Sequence, residues 1–234
     1  MHAEFHEIEL LLNGTAAGDS VAREDQRFSA GRQALQVSLH VEGAAKPDGG
    51  ADRAICLEAP GLFCAAVFDG AGTPPRDAAA ADAAVAALRK HLNHRSDRDC
   101  EFLLKRMDEA VRAAGGGTVS ASILLVRDNA AMAITAGDTQ AWSLGEPLPE
   151  SLIGVRSLTR LGAYDGRAMP TAVNFNRKPI VLASDGLFGF IDPSEVRALV
   201  GRRPEGVAGY LCEQVRQRHF SLPDDFAAIV VRFL

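Results

Sequence analysis

Three aspartates stand at the ends of apolar runs: Asp69 follows AAVF, Asp185 follows IVLAS, and Asp224 opens DDFAAIVVRFL. Aspartate is disfavoured inside strands, yet at strand ends several carboxylates can converge without each being buried in mid-sheet. A converging group repels itself until protons or cations neutralise it. Hard divalent ions such as Mg2+ or Mn2+ suit oxygen-rich, water-retaining sites of this type. Taken singly, each Asp-Gly step is more simply a turn. Spacing is compatible with either reading.

Placing those carboxylates falls to the elements around them. LFCAAVF at 62–68, bounded by Pro-Gly and Asp-Gly, reads as a buried strand, as does PIVLAS at 179–184, and a terminal strand follows Asp224. Further strands are expected at 5–12, at 36–41, where QVSLHV alternates, and at 53–58; the polar stretch GTAAGDSVAREDQRFSAGRQ resists assignment. An alanine-rich run ending near His91 favours helix, with prolines tolerated at its start. Phe102, Leu103, Met107 and Val111 recur near the helical period in a second helix over 97–114, which GGG at 115–117 ends. SASILLV, a turn at 128–130, AMAITA and QAWSLG read as antiparallel strands. The passage 147–169 signals weakly, with SLTRLG either ending a strand or lying in a loop. Two more helices are expected after Pro193 and over 204–218. Many short strands with roughly four helices indicate a layered α+β domain spanning 1–234.

Composition narrows the function classes. With 234 residues, 47% hydrophobic and 24% charged, the chain can bury a normal core, and its formal charge of -5 disfavours binding to a nucleic-acid backbone. RKHLNHR at 89–95 is too short a basic stretch to change that, and GGG lacks the GxxxxGK[ST] context of a phosphate loop. No unbroken apolar stretch approaches the length of a membrane span, and the glutamates of MHAEFHEIELLLNG do not fit a secretion signal. Cys56, Cys64, Cys100 and Cys212 lie far apart without a CxxC pair and read as small buried hydrophobes, so a cytoplasmic protein is expected.

In order along the chain, VFDGAG, GGTVSASILL, ITAGDTQAWSL, VLASDGLFGFIDPSEVRALV and DDFAAIVVRFL resemble the motifs of the metal-dependent serine/threonine phosphatases of the protein phosphatase 2C type. The chain looks like a compact, bacterial-like member, matched over most of 52–234, with residues 1–50 poorly matched. The resemblance implies a four-layer α/β/β/α sandwich with two central antiparallel sheets and a metal centre where their strand ends meet. It makes Asp69, the Gly70 carbonyl, Asp185 and Asp224 candidate ligands of two Mn2+ or Mg2+ ions, and Asp138 of AGDTQAW a candidate for an accessory third. The family's N-terminal acidic motif falls on Asp52 in GGADRAIC, with Ala51 in place of its acidic predecessor. A rival register at Glu24-Asp25 leaves 44 residues before Asp69, a long insertion between strands that must be neighbours. Asp225 stands where the family usually has asparagine.

The implied activity is hydrolysis of phosphoserine or phosphothreonine in a phosphoprotein by a water activated between two cations, with a kinase-signalling partner in the background. Two departures bear on it. Ala71 replaces the DG-motif histidine associated with leaving-group protonation. No arginine stands just upstream of Asp52: Lys46 is the candidate phosphate-binding residue there, without the bidentate fork of arginine, while Arg53 reads as a solvated strand residue. A degenerate phosphatase fold serving as a noncatalytic signalling module is the alternative.

Overall fold

Among the residues that the computed structural model describes (6–11, 20–30, 33–44, 50–92, 100–127, 130–152, 159–163, 171–173, 178–203 and 205–234), the chain forms twelve strands and five helices. In chain order these are β1 His6–Leu11, β2 Ser20–Ala30, β3 Gln33–Glu42, β4 Asp52–Ala59, β5 Leu62–Ala71, α1 Arg76–His91, α2 Cys100–Ala113, β6 Thr118–Arg127 and β7 Ala130–Ala136. There follow β8 Gln140–Ser143, β9 Glu150–Ser151, β10 Thr171–Val173, β11 Ile180–Ala183, α3 Asp185–Phe188, α4 Pro193–Arg202, α5 Val207–His219 and β12 Phe226–Phe233.

The strands divide into two antiparallel sheets, ordered β1-β4-β5-β6-β7-β10 and β2-β3-β12-β11-β8-β9. Alternation along each strand sends every second side chain to the opposite face. Thus Ile55, Leu57, Cys64, Ala66 and Phe68 pack under α1 and α2. Their neighbours Ala54, Cys56, Phe63, Ala65 and Val67 meet Leu39, Leu182, Ile229 and Val231 of the second sheet. The far face of that sheet, with Val181, Ala183, Ala228 and Val230, packs on Leu187, Val196, Leu211 and Val215 of α3 to α5. Three apolar layers therefore separate four structural ones, giving the α/β/β/α sandwich.

Two expectations need revision. The polar stretch that resisted assignment contains β2, an edge strand in which buried Phe28 and Ala30 alternate with exposed Arg27 and Ser29. Arg53 is not solvated: it is 1% exposed, ion-paired to Asp82 of α1 at 2.8 Å, and donates to the Gly50 and Asp52 carbonyls. Position 53 lies on the α1 face of β4, so a charge there needs a partner, which half-exposed Asp82 reaches in to supply.

Candidate metal centre

The centre begins with a hairpin. Pro60 and Gly61 join β4 to β5 with Gly61 at φ 77°, and the pairing Ala59↔Leu62 propagates until Asp52 stands opposite Asp69. Directly opposed residues share one face of a sheet, where like charges are destabilising. By alternation that face is the one turned toward the second sheet. Asp52 is 1% exposed and its Oδ2 has no hydrogen-bond partner, whereas Asp69 is half-buried and lines an open cleft. Asp69-Gly70 is not a turn, because β5 runs on to Ala71. Its glycine is required by close approach: a Cβ on Gly70 would lie 2.5 Å from the Asp77 carbonyl oxygen and 2.9 Å from the Ala51 Cβ.

From the second sheet, β11 delivers Asp185 as the first residue of α3, and Asp224 precedes β12. The antiparallel pairing Ala183↔Ala228 puts both at one end of the sandwich. Asp185-Gly186 is thus a helix start, where the carboxylate meets the positive helix end. A Cβ on Gly186 would come within 2.0 Å of the Asp225 carbonyl oxygen. Asp225 itself is buried, and its two carboxylate oxygens accept from the amides of Ala44 (2.9 Å) and Ala51 (3.1 Å). An asparagine would offer one acceptor oxygen to those two donors, so the aspartate suits the backbone it holds.

Asp69, Asp138 and Asp185 each place a carboxylate oxygen within 4.8 Å of the other two. Asp138 is already engaged: Oδ1 accepts from the Ser120 hydroxyl at 2.5 Å and Oδ2 from Arg160 Nη2 at 2.6 Å. Burial alone would raise its pKa, but these bonds hold it below the usual range. The rest of the group is frustrated. Burial and the nearby Asp185 carboxylate push Asp69 up to about 7, against the pull of Arg160. Burial also lifts Asp52 well above a normal carboxylate, with the charges of Asp69 and Asp225 adding to it, and raises Asp185 with help from Asp224. An all-oxygen set with an orphaned buried carboxylate oxygen and mutual repulsion fits hard divalent cations, which would satisfy both.

Among the sequence-derived candidates, Asp69, Gly70, Asp185 and Asp224 line one cavity of about 320 Å3, Asp52 lies opposite Asp69, and Asp138 adjoins them through Asp69 and Asp185. Lys46 lies outside the described residues. Glu24 and Asp25 belong to β2 of the other sheet, at a register shift between Arg23 and Gln26. Ala71 lines the cleft and brings no proton donor. Arg160 and Asp77, which sequence reasoning passed over, line it too.

No protein-family model matches the sequence, and no curated protein matches it. Solved structures do. PppA, a regulatory component of the type VI secretion system in Pseudomonas aeruginosa, is 20% identical with a TM-score of 0.70, over 91% of this chain and 100% of that one. The catalytic domain of the serine/threonine protein phosphatase PstP, solved with two manganese ions, is 18% identical with a TM-score of 0.67, over 86% and 98%. RsbX in complex with magnesium is 14% identical with a TM-score of 0.69, over 92% and 100%.

Proposed function

The chain has the fold of the metal-dependent serine/threonine phosphatases of the 2C type, and from that premise we propose that it hydrolyses phosphoserine and phosphothreonine in phosphoproteins at a centre of two divalent cations, Mn2+ or Mg2+. The observation that carries the reading is the like-charged pair Asp52↔Asp69, facing the second sheet with Asp185 beside it. Asp69, the Gly70 carbonyl, Asp185 and Asp224 would hold the ions from the cleft and Asp52 from the strand beside it. Such ions supply a water of lowered pKa and neutralise charge on the phosphoryl group. The protein's own part is to keep the carboxylates within reach of one another: Asp225 ties down the amides at 44 and 51, and Gly186 lets α3 start against the backbone of Asp225. The phosphorylated protein would come from a kinase-signalling partner. A cytoplasmic setting agrees with the buried thiols of Cys56, Cys64 and Cys212, none of which is in a disulfide among the described residues.

Adding Mn2+ to the metal-stripped protein is expected to switch on phosphate release from a phosphothreonine peptide. Tight metal binding without turnover would instead support the second reading, a noncatalytic signalling module, which Ala71 and the buried, carboxylate-free Ala51 favour. Ala71 also shapes the substrate profile. Alkoxides are poor leaving groups, so Ala71→His is expected to raise kcat on the peptide by about a hundredfold, the low side of general-acid catalysis, with little effect on an aryl phosphate. Equal gains on both substrates would refute a leaving-group role for position 71.

A further inference from the structure

Arg160 is the one cationic side chain among the described residues lining the acidic cleft, where Asp69, Asp77, Asp185, Asp224 and Asp225 supply the charge. Its backbone is fixed on the C-terminal side. Buried Leu161 exchanges two backbone hydrogen bonds with Val119, at 2.9 and 2.7 Å, and the Gly162 amide donates to Asp108 of α2 at 2.7 Å. Its side chain is fixed as well, through the chain Ser120–Asp138–Arg160. Gly137, at φ 79°, makes room for that chain: a Cβ there would lie 2.4 Å from Ser120 Oγ and 3.0 Å from Arg160 Cγ. A guanidinium carries five N–H donors in a planar fork, and the described bonds of Arg160 all go to Asp138. The remaining donors suit a tetrahedral oxyanion, which the carboxylate wall would otherwise repel.

We infer that Arg160 binds the phosphoryl oxygens of the substrate, and that Asp138, held by Ser120, orients its guanidinium instead of ligating an accessory metal. This rests on the phosphatase reading for its substrate, and it puts the phosphate-binding cation between β9 and β10, far along the chain from the N-terminal acidic motif.

The test uses the full chain loaded with Mn2+, with inorganic phosphate as the probe in calorimetry and as an inhibitor of peptide hydrolysis. Arg160→Ala is expected to weaken phosphate binding and raise the peptide KM by about 10- to 100-fold, the range of a lost charge-assisted contact, with Mn2+ stoichiometry unchanged. Arg160→Lys should restore part of the loss. Asp138→Asn should weaken phosphate binding about tenfold and leave Mn2+ stoichiometry intact, which neither a merely structural residue nor a metal ligand would do. Unchanged phosphate affinity in Arg160→Ala, or loss of a metal ion in Asp138→Asn, overturns the inference. If the wild type turns over no peptide but binds phosphate through Arg160, the inference stands and the phosphatase reading falls. A wild type that turns over the peptide but binds no phosphate sinks the inference alone, and one that does neither sinks both.

Discussion

Asp185→Asn is expected to cut Mn2+-dependent phosphate release by about a thousandfold, the equivalent of about 4 kcal/mol, because it removes an anionic oxygen from the cleft while keeping shape and volume. The same change should raise the thermal midpoint of the metal-free protein by a few degrees. Asp185 is held above its ordinary pKa by burial and then by the carboxylates of Asp224 and Asp138, so a neutral amide relieves repulsion. Activity and stability thus move in opposite directions, as expected where a site stores electrostatic strain. A variant with unchanged turnover and unchanged Mn2+ affinity would remove Asp185 from the metal centre. A variant that merely unfolds is ruled out by the rise in midpoint.

The second large effect is on stability against pH. Asp69 keeps its proton to about 7 in the folded chain, against 3.8 for an ordinary aspartate. Where the unfolded chain has released that proton and the folded chain has not, the folded state binds more protons and loses stability as pH rises. The contribution is complete below about pH 4 and gone above about pH 7, a span of at most about 4 kcal/mol from this group. Carboxylates shifted the other way act at lower pH: burial pushes Glu42 up, but hydrogen bonds from His40 and Arg216 leave it below its ordinary 4.5. Between about pH 5 and 8 the metal-free protein should therefore become easier to denature with urea. With Mn2+ at about a hundred times its dissociation constant, about 2.7 kcal/mol of binding energy favours the deprotonated folded state and the trend should vanish or reverse. Identical pH profiles with and without Mn2+ would contradict the electrostatic account of the centre.

The strands that carry the carboxylates were readable because LFCAAVF and IVLAS are apolar on both faces, as strands between two covered faces must be. Asp52 was readable by counting, since a two-residue hairpin fixes register: seven residues back from Ala59 and seven forward from Leu62 lead to the paired aspartates. Apart from that count, it is family resemblance that singles the residue out. β2 escapes pattern reading because the polar run REDQR at 23–27 interrupts any apolar alternation. Arg160 carried no local signal at all. Its position depends on the bridge that its neighbour Leu161 makes to Val119, a contact between residues 42 positions apart, and no pattern in SLTRLG encodes it. The Asp-Gly steps misled in the other direction, since glycine at 70 and 186 answers to crowding by neighbouring backbone and not to chain reversal.

Asp52 and Asp69 come from one sheet, Asp185 and Asp224 from the other. Ions held among them would act as rivets through both slabs at one end, while at the other end Ser29 of β2 donates its amide and hydroxyl to Glu58 of β4. A slide of one slab over its neighbour by less than a bond length would spoil the coordination sphere long before it altered circular dichroism. Turnover would then serve as the finer gauge of alignment in variants whose changes lie deep in the filling between the slabs.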